Sequence, residues 1–420
     1  MNTMKKMESK ELSIKQNMMY NTFGSVVLLV CQWLTTVLVV RLSTYENAGM
    51  LSLAMSVTNI FFGFASFGMR TFQVSDIQNV YADSIYVTSR ILTCLVSQLL
   101  CMIFVLCNSR YTSSQMICVI IYMIYRVIEA FVDVLYGIEQ KKMRMDYIGI
   151  SSVARGIFTL IGFVVSMILT KNLNIAILSM VLISATIVLF YDIPRSSRLR
   201  KYQICFSRNE IMRLLKECFP LMINTVLLIS MISIPRYFLE MYDGERLLGI
   251  YSSIATPTVI VQTACIWIYT PLVSEFSTNY IYQNKKKYMN LLMKTIAVLS
   301  GVFLFLIIGA FIFGDFGLKI LFGSEILQYS GMLIQIMFVT MLMSIVHFLN
   351  MLLTICRKQT QVALVNGVTL LGIIFLSYNL IPSYHMSGVN YTLFIALAID
   401  CISLGIILAQ CVRKNFGGAN

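Results

Sequence analysis

Charged and aromatic side chains recur at helical spacing within one apolar stretch of this sequence. Tyr122, Arg126, Glu129, Asp133 and Tyr136 are separated by steps of four, three, four and three residues, so they share one face of a helix. If that helix spans a bilayer, each ionised side chain near its centre costs at least about 2.5 to 3.5 kcal/mol. The face must therefore meet partners or water rather than lipid.

This charged face has two interpretations. In one, arginine and carboxylate side chains pair and lock helices together: Arg126 with Glu129 one turn away, and Asp133 with Arg155 of the next apolar stretch. In the other, the face lines a hydrated cavity, where Arg126 and Arg155 bind an anionic substrate while Glu129 and Asp133 exchange protons or metal ions. The residue pattern leaves both open.

Further arginines lie at the ends of apolar stretches. Arg41 and Arg236 end the first stretch of each half of the chain, and Pro235 allows a bend just before the second of them. Each of these two arginines either reaches an anionic substrate or turns toward lipid phosphates. Arg70, at the inner end of the second stretch, is interpreted as a topology anchor.

Uncharged polar residues add candidates for binding and proton transfer. His347 is either a hydrogen-bonded packing residue or a proton carrier. Asn224 and Gln262 either bond between helices or line a cavity that suits sugar hydroxyls. There is no metal-ligand cluster and no G-x-x-x-x-G-K-[ST] loop, which excludes ATP-driven transport by this chain alone. We expect no catalytic residue, metal or cofactor. The ion that the acidic residues and His347 would exchange is H+ or Na+. The outer loops are too short for an enzyme that handles glycans.

The composition requires a membrane environment. Of 420 residues, 58% are hydrophobic and 12% are charged, against about 25% charged residues in soluble domains. An apolar stretch of about 20 residues spans a bilayer as a helix. We predict twelve such helices, near residues 17–40, 47–68, 85–107, 116–136, 150–170, 173–191, 214–235, 248–274, 288–313, 327–355, 361–381 and 388–411.

The net charge of +13 follows the parity of the loops. With a cytoplasmic N-terminus, the inside segments hold 24 Lys and Arg residues and the outside loops hold six. The positive-inside rule therefore places both termini in the cytoplasm. Because topology accounts for the charge, no nucleic-acid partner is expected. The eleven cysteines form no C-x-x-C motif and are interpreted as packing residues.

The sequence also carries a faint internal repeat. At a shift of 200, four residues match: Gly49, Ser52, Thr58 and Ile60 with Gly249, Ser252, Thr258 and Ile260. At a shift of 217, five align: Phe131, Asp133, Leu135, Ile138 and Lys141 with Phe348, Asn350, Leu352, Ile355 and Lys358. Each match pairs a helix with the one six later, so the copies share an orientation and form a parallel repeat. We predict an N-terminal lobe over residues 1–192, a basic cytoplasmic linker over 193–213 and a C-terminal lobe over 214–420.

Several local motifs resemble the polysaccharide transporter flippases, the Wzx-like branch of the multidrug/oligosaccharidyl-lipid/polysaccharide exporter superfamily. The motifs that carry the resemblance are Phe67-Gly68-Met69-Arg70-Thr71-Phe72-Gln73-Val74-Ser75-Asp76, Asp133-Val134-Leu135-Tyr136-Gly137-Ile138-Glu139-Gln140-Lys141-Lys142, Arg144-Met145-Asp146-Tyr147-Ile148-Gly149, Cys218-Phe219-Pro220-Leu221, Pro235-Arg236-Tyr237-Phe238-Leu239-Glu240, Tyr269-Thr270-Pro271-Leu272 and Arg357-Lys358-Gln359. The resemblance covers nearly the whole chain.

The resemblance implies an all-α polytopic membrane fold, with two pseudo-symmetric six-helix lobes around a V-shaped, MATE-like cavity. It also implies rocker-switch alternating access in the cytoplasmic (inner) membrane of a bacterium. The implied substrate is an undecaprenyl-pyrophosphate-linked oligosaccharide, moved from the inner to the outer leaflet for surface polysaccharide biosynthesis. Implied partners are this polyprenyl-pyrophosphate-linked glycan, membrane lipids, and the polymerase and assembly proteins of the same process. Arg126, Arg155, Arg41 and Arg236 are the cations available for the pyrophosphate.

One departure from the related drug exporters matters. The first helix lacks an acidic residue, so their usual coupling carboxylate there is missing, and Glu129 and Asp133 become the coupling candidates. The alternatives are a cation-coupled multidrug exporter of the same superfamily and a non-transporting membrane component of a glycan assembly complex.

Overall fold

The computed structural model describes residues 12–76 and 78–416, and these residues form helices without strands. The α-helices are α1 Ile14–Leu42, α2 Tyr45–Ser66, α3 Met69–Ser75, α4 Asp83–Cys107, α5 Ser113–Lys141, α6 Met145–Thr170, α7 Leu173–Ile187, α8 Ile193–Leu199, α9 Arg208–Tyr269, α10 Val273–Ile281, α11 Lys285–Phe322, α12 Met332–Ile355 and α13 Gln359–Phe416. A π-helical turn, Val188–Asp192, joins α7 to α8, and 3-10 turns lie at Thr270–Leu272 and Glu325–Tyr329.

The predicted twelve-helix architecture is confirmed. Within the described residues, nine stretches are long and apolar enough to cross a membrane. Two of these stretches, which contain α9 and α13, each hold two helices joined at a kink. The nine stretches thus hold eleven helices. Helix α5 is the twelfth; it is not among the nine stretches and carries five charged side chains. It corresponds to the predicted fourth span.

The kinks lie at residues that the sequence did not single out. Helix α9 runs on through Pro235 and changes direction at Gly244, where φ is 80°. Glycine has no Cβ, so it adopts this left-handed conformation at low cost. In α13 the corresponding break is at His385, with φ of 51°. The helix predicted to end near residue 235 therefore continues to residue 243.

The sixth predicted helix also extends further than its apolar stretch. The helical course continues from α7 through the π-helical turn to Leu199 instead of ending near residue 191. Pro194 lies directly after the π-helical turn, in the first turn of α8, and does not end the helical course.

Contacts divide the chain into two compact units. The first comprises Met1–Ser43 with Ala54–Val226, and the second comprises Thr44–Leu53 with Leu227–Asn420. The lobe boundaries predicted at residues 192 and 214 stay a prediction. Residues 193–213, predicted as a linker, contain α8 and the start of α9.

In the first unit, α1 and α6 approach closely through small residues. A Cβ added to Gly24 would lie 2.6 Å from the Cα of Gly149, so the two backbones touch. Small residues permit such contacts between membrane helices and increase their van der Waals packing. The Oδ1 atom of Asn17 also accepts a 2.7 Å hydrogen bond from the N–H of Met145, where α6 begins. Helix α6 is thereby fixed against α1.

In the second unit, the start of α2 crosses the second arm of α9 at the residues of the 200-residue repeat. A Cβ on Gly49 would lie 1.8 Å from the carbonyl oxygen of Glu245, and one on Gly249 would lie 2.0 Å from that of Tyr45. The two contacts are reciprocal, because 45 and 245 differ by the same shift as 49 and 249. The hydroxyls of Ser52 and Ser252, again 200 apart, share a hydrogen bond. This reciprocity is what a twofold relation between two like-oriented helices predicts.

Candidate functional site

Helix α5 carries the charged face predicted from the sequence. It begins at a capping box: Thr112 accepts a hydrogen bond from the N–H of Gln115, whose side chain accepts one from the N–H of Thr112. Apolar side chains on its other faces, including Met123, Val132 and Leu135, are fully buried. The charged face is therefore held in a fixed orientation within the first unit.

Arg126 and Glu129 form an ion pair one turn apart on this face. Both side chains are mostly buried, at 18% and 11% exposure. The Nε2 atom of Gln32 on α1 donates a 3.0 Å hydrogen bond to Glu129, and the guanidinium of Arg126 lies 3.9 Å from the ring centre of Phe62 on α2. The Nε atom of Arg126 is buried and has no hydrogen-bond partner among the described residues. This guanidinium thus keeps donor capacity that its carboxylate does not use.

Arg155 lies on α6 and is buried beside Tyr136. Its Nη2 atom donates a 2.8 Å hydrogen bond to the Tyr136 hydroxyl, which in turn donates to Ser151 at 2.9 Å. Glu129 and Asp192 are the acidic groups that interact electrostatically with Arg155. The structure therefore brings Arg126, Glu129 and Arg155 into one electrostatic cluster.

Asp133 pairs with two arginines, and Arg155 is not its ion-pair partner. Its Oδ1 accepts a hydrogen bond from Arg70 at 3.2 Å, and its Oδ2 accepts one from Arg90 at 3.1 Å. Arg70 also donates to Gln140 at 3.0 Å, so this residue connects α3 to α5 and has a structural contact beyond the topology-anchor role expected for it.

Arg90 is the partner of Asp133 that sequence reasoning missed. It is fully buried on α4, and its Nη1 atom donates a 2.8 Å hydrogen bond to the carbonyl oxygen of Ala65. Helix α2 ends at Ser66, so the carbonyl of Ala65 has no partner within the helix, and Arg90 and Thr93 supply donors for it. An arginine five residues inside an apolar stretch was the signal, because such a charge needs a partner.

The remaining candidates are distributed over both units. Arg41 is exposed at the last turn of α1, and Asn224 is half-buried in the first arm of α9. These two belong to the first unit. Arg236, Gln262 and His347 belong to the second unit, where all three are half-buried. In the described part of the chain, no group of three or more His, Cys, Asp or Glu side chains could hold a metal ion.

A loop motif from the sequence resemblance holds the end of α5. The carboxylate of Asp76 accepts hydrogen bonds from the N–H groups of Val80 (2.9 Å) and Tyr81 (3.3 Å) and from the hydroxyl of Tyr86 (3.1 Å). Burial favours a higher pKa for Asp76, but these hydrogen bonds and the charge of Lys141 outweigh it and lower the pKa. Lys141 also donates a 2.8 Å bond to the backbone oxygen of Asp76. The loop is thus an anchor for α5.

Comparison with known proteins identifies the family. Residues 14–277 match the model for the polysaccharide biosynthesis protein family. The chain belongs to this family. A relative, the capsular polysaccharide biosynthesis protein CapF of Staphylococcus aureus, is 26% identical over 396 residues, which cover 92% of this chain and 97% of CapF. The resemblance inferred from the motifs is confirmed.

Solved structures show that this polysaccharide biosynthesis family member has the fold of MATE transporters. The inward-facing conformation of a multidrug resistance MATE transporter of the MOP superfamily has a TM-score of 0.71 and 10% identity, covering 94% of this chain and 97% of that one. The eukaryotic MATE transporter AtDTX14 has a TM-score of 0.64 and 15% identity, covering 96% of this chain and 98% of that one. The chain is thus a multi-pass membrane protein with a transporter fold rather than an enzyme fold.

Proposed function

We propose that this member of the polysaccharide biosynthesis protein family is a flippase for a lipid-linked oligosaccharide. Its substrate is an undecaprenyl-pyrophosphate-linked glycan, which it moves from the inner to the outer leaflet by alternating access. The family match and the MATE-type fold support a transport role in polysaccharide biosynthesis. The charged cluster of the first unit supports the anionic substrate.

The observation that carries the proposal is the state of Arg126. A pyrophosphate needs planar donors in a water-poor environment, and a guanidinium supplies two parallel N–H groups for it. The guanidinium of Arg126 packs over the ring of Phe62 and forms an ion pair with one carboxylate, that of Glu129. A substrate phosphate that replaced Glu129 on Arg126 would exchange one anionic partner for another, so the guanidinium would keep a counter-charge.

The other predicted binding residues have secondary roles in this proposal. Arg155 adds positive charge beside Glu129 and is held in place by Tyr136. Arg41 and Arg236 are further cations for the pyrophosphate, and Asn224 and Gln262 bind sugar hydroxyls. The polyprenyl tail is as apolar as the bilayer and stays in lipid.

Ion coupling follows from the same exchange. When a phosphate displaces Glu129 from Arg126, the freed carboxylate loses its strongest counter-charge and takes up a proton or a sodium ion. Asp133, which keeps two arginine partners, and His347 of the second unit are the other coupling candidates. We place the protein in the inner membrane of a bacterium, with both termini in the cytoplasm and with polysaccharide polymerase and assembly proteins as partners.

The test is flipping of a fluorescent undecaprenyl-pyrophosphate glycan in proteoliposomes. We expect Arg126→Ala to abolish flipping and Arg126→Lys to restore part of it, because a point charge cannot reproduce the bidentate fork. The double variant R126A/E129Q removes both charges, so it should fold stably and still not flip. Arg110→Ala, at an exposed loop position, is the matched control. Wild-type flipping by R126A or by the double variant at equal reconstitution would refute the proposal.

The alternative is cation-coupled export of small amphipathic drugs; two of the solved neighbours are named multidrug resistance MATE family transporters. The same proteoliposomes distinguish it. Gradient-driven uptake of a cationic dye, with no flipping of the lipid-linked glycan, would favour the drug exporter. Helix α1 carries no acidic residue, which supports the flippase instead.

A further inference from the structure

Glu139 differs from the other acidic side chains of α5. Its side chain is fully buried, and neither carboxylate oxygen accepts a hydrogen bond from a described residue. Glu129 is bonded to Arg126 and Gln32, and Asp133 to Arg70 and Arg90. An ionised carboxylate buried without donors is costly, whereas a neutral carboxyl costs much less. Glu139 thus has the surroundings of a carboxyl that holds a proton.

A second fully buried acid interacts with it electrostatically. This acid, Asp192, is 0% exposed. The two oxygens of Asp192 likewise accept no hydrogen bond from a described residue, and its electrostatic partner of opposite charge is Arg155. Two buried carboxylates that interact electrostatically cannot both ionise cheaply, because the charge of one disfavours ionisation of the other. Arg155 favours Asp192 as the charged member, which leaves the proton on Glu139.

The arginines near Glu139 are committed elsewhere. Arg144 donates to both oxygens of Asp146, at 3.0 and 2.9 Å, and Arg70 donates to Asp133 and Gln140. Neither forms an ion pair with Glu139. The titratable and charged groups that face Glu139 from all the segments packed around it are Arg70, Arg144, Asp146, Tyr191, Asp192 and Tyr202.

The backbone next to Asp192 provides an independent observation. Asp192 ends the π-helical turn Val188–Asp192, one of the few departures from regular helix in the first unit. A π-turn inserts one residue, which rotates the side chains that follow by about 100° relative to an uninterrupted α-helix. Such turns occur often at functional sites. Here the turn sets the direction in which Asp192 leaves the helix.

We infer that Glu139 and Asp192 form a proton-binding site of this protein, with one exchangeable proton held on Glu139. Binding of the proton does not depend on the proposed flippase activity. Its use in transport does rest on that function, where it would make H+ the coupling ion. Uptake balances simply: one proton converts the Glu139 carboxylate to the neutral acid, and release restores it.

Infrared spectroscopy of the purified, reconstituted protein tests the site directly. A protonated carboxyl gives a carbonyl-stretch band that shifts in D2O and disappears on ionisation. We expect the wild type to lose one such band as the pH is raised from neutral, and Glu139→Gln to lack it at every pH. The Glu139 band is taken as wild type minus variant, which subtracts any band from another buried carboxyl such as Asp400 of the second unit. Glu210→Gln, at an exposed position of α9, is the control and should keep it.

Thermal unfolding supplies a second measurement with a defined sign. If the folded protein holds this proton more tightly than the unfolded chain, Tm falls as the pH rises through the range in which Glu139 ionises. E139Q mimics the neutral acid, so it should fold and show a flatter dependence, and Asp192→Asn should lower the pH at which the wild-type band disappears. An unchanged band in E139Q would overturn the inference. A rise in wild-type Tm with NaCl but not with choline chloride, absent in E139Q, would also overturn it in favour of sodium binding.

Flipping measured on the same preparations separates this inference from the proposed function. We expect that a proton gradient no longer accelerates flipping by E139Q. The variant should still bind the glycan, measured as fluorescence quenching when the glycan is added. Absence of flipping in the wild type, with the infrared band present, would count against the flippase and leave the proton site standing. If the flipping rate of E139Q depends on the proton gradient as that of the wild type does, the site has no role in coupling.

Discussion

The three acidic side chains of α5 are balanced in different ways. Glu129 has one arginine and an amide, Asp133 has two arginines, and Glu139 accepts no hydrogen bond from the described residues. An opposite charge within hydrogen-bond distance favours the ionised form of a carboxyl, and burial without one favours the neutral form. Residues of the same type, ten positions apart, are therefore suited to different work: exchange of anionic partners at Glu129 and storage of a proton at Glu139.

Arg90 offers a test of the structural half of this arrangement. We expect Arg90→Ala to lower the free energy of unfolding by about 3 kcal/mol, the lower end of the range for a broken buried pair. The lower end applies because Asp133 is 28% exposed and keeps Arg70. Thermal unfolding in detergent measures the effect, with Arg110→Ala as the exposed-arginine control. A shift no larger than that of the control would show that the Arg90–Asp133 contact adds nothing to stability.

The choice of partner was the part of the site that the sequence did not predict. Helical spacing correctly placed Arg126 one turn from Glu129, because that pair lies within one helix. Asp133 was matched with Arg155 as a structural alternative, but its partners are Arg70 and Arg90. Spacing specifies a face of a helix and not which neighbouring helix covers it. Partners on other helices therefore need the three-dimensional packing.

At the scale of elements, apolar length predicted all twelve helices, whereas the breaks were predicted less well. A bilayer requires about 20 apolar residues per span, so each apolar stretch of that length predicts a helix regardless of its neighbours. A kink depends on one residue. Pro235 allows a bend, but α9 runs on through it and breaks at Gly244, between the helices predicted at 214–235 and 248–274, where a residue without Cβ adopts the observed φ freely.

The crossing of α2 with the second arm of α9 gives an element-scale prediction. A Cβ at Gly49 or Gly249 would overlap a backbone carbonyl at 1.8 or 2.0 Å, so the helices must separate. We expect Gly49→Ala and Gly249→Ala each to lower stability by about 2 kcal/mol, as overpacking does. Gly301→Ala in α11 is the matched control, because no atom lies within 4 Å of its added Cβ. There alanine should be neutral or stabilising by up to about 1 kcal/mol through helix propensity.

Thermal unfolding of the three single variants and of one double variant decides this prediction. If the two glycine contacts are one reciprocal interface, the double variant G49A/G249A should cost less than the sum of the single variants, because the first Cβ already separates the helices. Equal Tm values for G49A and G301A would contradict the close approach. Additive losses would instead mean that the two contacts are independent.

At the scale of the whole molecule, the distribution of Lys and Arg predicts the orientation of the chain, and two native cysteines can report it. Cys107 lies at the end of α4 and Cys205 in the segment before α9, and both are exposed. The positive-inside rule places the end of α4 outside and the segment around Cys205 in the cytoplasm, where Arg200, Lys201 and Arg208 lie close by. A membrane-impermeant maleimide added to right-side-out vesicles should therefore label Cys107 and spare Cys205, and inverted vesicles should show the reverse. Cys107→Ser and Cys205→Ser assign each signal. Labelling of Cys205 from outside would invert the topology, and Glu139 would then exchange its proton with the outer side of the membrane.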